Sequence, residues 1–206
     1  MGRIALRVRT LINRTASYTA ATGALALLTA CGGTGMTGHE GMSSAAPVAA
    51  TAARSPSANG ADVMFTQMMI PHHEQAVEMA GLAASRVRDV QIKELAAKIK
   101  TDQEREIGIM KGWLTAWGKP EMAGHMGHEM PGLLSEKVMK QLESAKGQEF
   151  DKLFVQGMIA HHNGAVEMAR TEQTDGADPE VKKMAAHMVI HQRGEVALLQ
   201  EIGQRL

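Results

Sequence analysis

The stretch "MMIPHHEQAVEMA", Met68 to Ala80, returns 89 residues later as "MIAHHNGAVEMA", Met158 to Ala169. At that offset Asp62–Ala80 aligns with Asp151–Ala169 without gaps, and twelve of the nineteen positions are identical. The chain therefore contains an internal duplication. The register continues onward, pairing Asp89 with Asp178, Lys93 with Lys182, Gln103 with Gln192 and Glu106 with Glu195. Each copy reads as a helical hairpin, because apolar residues recur at helical spacing and no segment alternates with the period of a half-buried strand.

The second copy carries a strong helix start in "DPEVKK", with Asp178 as N-cap, Pro179 at the first helical position and Glu180 in the first turn. Asp89 marks the matching start. The spacing predicts helices over about Asp62–Ser85, Asp89–Trp117, Gln148–Thr171 and Asp178–Arg205, with a short helix from Glu136 to Ser144 capped by Ser135. Pro71 lies inside the first helix and predicts a kink, not an end, since its counterpart is Ala160. Two such hairpins bury their apolar stripes best against each other. The expected fold is all-α: a ferritin-like four-helix bundle of two duplicated hairpins, repeat 1 over 62–117 and repeat 2 over 148–206, joined by a connector over 118–147 long enough to cross the bundle.

Residues 1–60 do not read as part of this domain. Arg3, Arg7, Arg9 and Arg14 precede a weakly apolar run, Ala16 to Ala30, too short to span a bilayer comfortably. Residues 1–30 thus read as a signal peptide. The run ends in Leu28-Thr29-Ala30-Cys31, which resembles the bacterial lipobox, so Cys31 is expected to carry a lipid; the alternative is an ordinary signal peptide with a leftover thiol. Residues 31–60, rich in Gly, Ala, Ser, Thr and Pro, read as a flexible tether. Removing residues 1–30 takes away four of the 22 basic side chains and none of the 22 acidic ones, leaving a net charge of −4 with histidines neutral. That balance argues against nucleic acid.

Aromatic residues make up only 3% of the chain, whereas it has 16 methionines and nine histidines. On a helical projection Phe65, Met68, Met69, His72, Ala76, Met79 and Ala83 share one face, with His73 at its edge and Glu78 pointing away. The third long helix repeats this with Met158, His161, Ala165 and Met168, and His162 at the edge. On the last helix Met184, His187, Met188, His191, Glu195 and Leu198 lie along one side. His187 and His191, one turn apart, are spaced to bind one metal ion. Their counterparts in the first copy are Lys98 and Asp102.

Two readings compete. His72 and His161 could be hydrogen-bonded core histidines with methionines filling gaps in an aromatic-poor core. A doublet kept in both copies, with thioethers one turn away, favours a metal. Thioether and imidazole together suit copper, Cu(I) above all, with Ag(I) as a mimic. Thioethers also stay available in an oxidising compartment. The connector stretch "EMAGHMGHEMPG", Glu121 to Gly132, adds Met122, His125, Met126, His128 and Met130, and the tether adds Met36, His39 and Met42.

The motifs "MMIPHHEQAVEMA" and "MIAHHNGAVEMA", the connector "HMGHEMPGLLSE" and the lipobox together resemble the bacterial family catalogued as domain of unknown function 305, some of whose members are described as CopM-like copper-binding proteins. The resemblance covers about residues 62–206. It implies an exported ferritin-like bundle that binds copper, and silver, through His and Met, with Met69, His72, His73, Met158, His161 and His162 as ligands. One departure is Gly157, which stands opposite Met68. The function expected is a membrane-tethered copper-binding protein that sequesters the ion or passes it to a partner protein, without turnover. The alternatives are a ferritin-like di-metal oxidase, whose Glu-x-x-His pairs the helices lack, or a structural envelope lipoprotein.

Overall fold

Helix-starting side chains set the frame. A computed structural model describes residues 58–121 and 130–206, and among them all regular structure is helical. Asn59 opens α1 (Gly60–Arg86) through a capping box with Asp62. Asp89 and Asp178 cap α2 (Val90–Ala116) and α5 (Pro179–Gly203), each accepting from the next two backbone amides but one. Ser135 caps the short α3 (Glu136–Ser144), and α4 spans Gln148–Asp175. The signal peptide, Cys31, most of the tether, and Met122, His125, Met126 and His128 lie outside the described residues. No helix among the described residues is long and apolar enough to cross a membrane.

Helices α1 and α2 pack as one hairpin and α4 and α5 as the other; the hairpins join mainly through α1 and α4, while α2 only touches α5. At one end the Asn59 amide donates to the Asp175 carbonyl at 2.9 Å, and at the other the Gly147 N–H donates to the Arg86 carbonyl at 2.8 Å. Helices α1 and α4 are therefore antiparallel, the order is up-down-down-up, and a pseudo-twofold axis relates the copies. The ferritin-like arrangement is the one observed.

The same carboxylate welds both ends. Asp62 accepts from the backbone N–H groups of Ala177, at 3.1 Å, and Asp178, at 2.9 Å; Asp151 accepts from those of Arg88 and Asp89, both at 3.0 Å. Each copy's first helix thus supplies the acceptor for the opening of the other copy's second helix. Burial opposes ionisation of Asp62, but its bonds from Asn59, Asp178 and Ala177 outweigh that and hold its carboxyl below the usual range.

The apolar core comes in two clusters. One holds Ala76, Met79, Ile92, Ile99, Phe150, Phe154, Met158 and Leu199; the other holds Phe65, Met69, Met110, Trp113, Met168, Val181 and Met188. Helix α1 runs unbroken through Pro71.

Residues Met130–Leu134 pass over the α1–α4 seam. Gln75 grips this strap twice, donating to the Leu134 carbonyl at 2.9 Å and accepting from the Leu134 N–H at 2.8 Å. On α4 a Cβ at Gly164, the counterpart of Gln75, would overlap the Pro131 carbonyl. One copy holds the strap and the other makes room for it. Gly157 has the same cause: a Cβ there would sit 2.9 Å from Leu134 Cδ2 and 3.2 Å from Met79 Cε.

Candidate metal centre

Between the two apolar clusters lies a layer of polar side chains contributed by all four long helices. His72, His73, His161 and His162 are fully buried, and Gln103, Glu106 and Gln192 are nearly so. Burial of His73 and His162 corrects their expected place at the edge of the stripe. Helix α1 packs against both α2 and α4, so its buried arc is wide enough to take in two residues 100° apart.

The layer obeys the duplication. His73 Nε2 lies 2.8 Å from Glu106 Oε2, and His162 Nε2 lies 2.9 Å from Glu195 Oε2. Both pairs span 33 residues of sequence. On the axis the His72 and His161 rings stand 3.8 Å apart, tilted by 39°. His72 Nε2 donates to the Pro131 carbonyl of the strap at 3.0 Å.

The Nδ1 atoms of His72, His73 and His162 have no hydrogen-bond partner. Neither nitrogen of His161 makes a well-formed hydrogen bond, although the His72 carbonyl lies near enough to favour its cation slightly. Five orphaned imidazole nitrogens in one buried layer are unusual, since each unmet polar atom costs about 1–3 kcal/mol. Burial, helped by neighbouring histidines, pushes the His72 imidazolium down to about 3 and that of His161 well below its ordinary value. Both rings are neutral at physiological pH, the form that binds a metal. An Nε2–H anchored on a carboxylate or carbonyl is also how metal-ligating histidines are commonly oriented.

The thioethers are distributed unevenly. Met69, Met79 and Met158 are fully buried, Met168 is 9% exposed, and Met68 and Met130 are half-buried. Met69 and Met158 lie three residues before His72 and His161, one turn away on the same helices. His187 and His191 are exposed, their rings 3.8 Å apart. His187 Nδ1 lies 4.0 Å from Glu106 Oε1. Among the described residues no three or more His, Asp or Glu side chains are grouped so as to hold a metal ion. Glu106 and Glu195, which the alignment of the two copies pairs, are the carboxylates that anchor the layer's outer histidines.

Fold and site together define a duplicated all-helical bundle with a buried histidine layer. A family model described as "Domain of unknown function (DUF305)" matches residues 62–203, and the chain belongs to that family. Comparison with curated proteins finds none that matches. Three solved structures are similar. A putative secreted DUF305 protein from Streptomyces coelicolor is 33% identical, over 69% of this chain and 89% of that one, with a TM-score of 0.65. A DUF305 fragment from Deinococcus radiodurans is 31% identical, over 73% and 100%, with a TM-score of 0.68. CopM in its Cu(II)-bound form is 35% identical, over 70% and 96%, with a TM-score of 0.62.

Proposed function

We propose that this protein is an exported copper-binding protein, tethered to the membrane through Cys31, which holds Cu(I) in the histidine layer and passes it on without chemical turnover. The observation that carries the reading is the set of unpartnered imidazole nitrogens on His72, His73, His161 and His162. A soft ion bound by them, with Met69 and Met158 as thioether ligands, would relieve their unmet polarity. The relative CopM, solved in Cu(II)-, Cu(I)- and Ag-bound forms, supports copper as the ion and Ag(I) as its mimic. The secreted Streptomyces relative supports export. Met122, His125, Met126, His128 and Met130 serve as exchangeable donors on the way to a partner protein.

A ferritin-like di-metal oxidase draws support from one observation, the two matching His–Glu pairs. Against it, Lys98 Nζ lies 3.2 Å from Glu195 Oε1 and occupies that carboxylate with a fixed cation. The test is a Cu(I) competition titration of the wild type and of His72→Ala/His161→Ala, alongside oxygen uptake with Fe(II). The expected result is tight Cu(I) binding, weakened at least tenfold in the variant. Equal binding by both proteins, or Fe(II)-dependent oxygen turnover, overturns the proposal.

A further inference from the structure

The two halves of the bundle diverge at the groove between α2 and α5. Around Glu195, Lys98 Nζ reaches Oε1 at 3.2 Å and Asp102 Oδ2 at 2.8 Å, while Arg105 holds the other Asp102 oxygen at 3.1 Å. That carboxylate is answered by the Lys98 ammonium. At the matching positions beside Glu106 stand His187 and His191. His73 holds Glu106 Oε2 at 2.8 Å, and the second oxygen, Oε1, has His187 Nδ1 at 4.0 Å. The His187 and His191 rings lie 3.8 Å apart, tilted by 30°, and line one groove of about 250 Å³ with Glu106.

The geometry points to a second, one-sided site in this groove, in which Glu106, His187 and His191 bind a borderline divalent cation such as Cu(II) or Zn(II). A carboxylate with two imidazoles is a donor set of that class, whereas the interior layer offers thioethers. Two donors on one tetrahedral ion lie roughly 3.3 Å apart, given metal–ligand bonds of about 2.0–2.1 Å. The 4.0 Å gap between Glu106 and His187 closes by turning an imidazole that is already exposed. His191, one turn further, turns in the same open space. The rings are not gathered round a point without metal, and the two that must move are free to do so. His73 fixes the carboxylate by its far oxygen, as an outer-shell partner does. Across the pseudo-twofold axis the Lys98 ammonium stands where the ion would sit, so Glu195 forms no equivalent site. This inference is independent of the proposed Cu(I) reading of the interior.

The duplication supplies its own control. The full chain is titrated with Cu(II), by calorimetry and electron paramagnetic resonance, as wild type, as His187→Lys/His191→Asp and as Lys98→His/Asp102→His. Each exchange writes one copy's groove residues into the other, and far-UV circular dichroism checks that the helices persist. Because His39, His125 and His128 also bear imidazoles, the quantity read is the change in the number of ions bound. The first exchange is expected to lose one Cu(II) together with a nitrogen-split resonance component, and the second to gain one. A His187→Lys/His191→Asp protein that binds as many Cu(II) ions as wild type overturns the site, as does a folded Lys98→His/Asp102→His protein that gains none. Cu(I) titration of the first exchange separates the two ideas: retained Cu(I) with lost Cu(II) upholds the groove site. A wild type that takes Cu(II) here but no Cu(I) overturns the interior reading alone.

Discussion

Glu172, near the end of α4, is 1% exposed, and a Cβ on Gly176 would overlap its carboxyl group. Neither oxygen has a well-formed hydrogen bond, though Asp62 lies close enough to share a proton with it. Burial first, and then the neighbouring Asp62, push its carboxyl up to about 8, with Lys182 opposing weakly. Below the unfolded value of 4.5 both states are protonated and nothing is lost. As pH rises from there toward 8 the unfolded chain releases the proton and the folded chain keeps it, so stability falls through that window and levels off above it. At about 1.4 kcal/mol per unit the full shift is worth roughly 5 kcal/mol. Glu172 sits at an end of the bundle where a small backbone movement admits water, and we reduce the figure to about 2 kcal/mol. Glu172→Gln keeps a donor toward Asp62 and removes the charge. The variant should match wild type near pH 4.5 and exceed it by about 2 kcal/mol at pH 8.5, a rise in melting temperature of roughly 4–8 °C. Urea or thermal unfolding across pH 4.5–8.5 measures the difference curve. A flat difference curve, or a variant less stable at both ends, refutes the argument.

Three further outcomes follow from other parts of the bundle. Gly164→Ala should lose about 2 kcal/mol despite the better helix propensity of alanine, because its methyl displaces the Pro131 carbonyl; thermal unfolding checks it. Asp151→Ala strips the acceptor from the Arg88 and Asp89 amides and should cost about 2–3 kcal/mol in urea unfolding, with Lys152→Ala as a near-neutral control. Cys31→Ser should move the protein from the membrane to the soluble fraction, since a lipid there is the proposed anchor; unchanged fractionation counts against it.

Much of the fold was legible because the duplication made each copy a check on the other. Asp89 and Asp178 fixed two helix starts, and Ser135 the short helix. Helix α4 runs one turn past the expected Thr171 because Glu172 and Asp175 are drawn into the corner with Asp62 and Asn59, a long-range contact invisible to local spacing. His72 and His161 were legible as interior from the projection. His73 and His162 were not, since a projection assumes one buried face and these helices have two neighbours. The strap over the seam was hidden too. It explains Gly157 and Gly164, two breaks in the repeat that look like drift until Leu134 and Pro131 are seen to fill the space.

The central claim is that copper is held by imidazole and thioether together. Copper K-edge X-ray absorption of the Cu(I)-loaded protein tests it most directly, with His72→Ala/His161→Ala and Met69→Leu/Met158→Leu measured beside the wild type. A mixed nitrogen and sulfur shell with imidazole multiple scattering is expected in the wild type. The histidine variant should lose the imidazole signature, and the methionine variant much of the sulfur shell. A wild-type spectrum of light donors only, or one that neither double substitution changes, would contradict it.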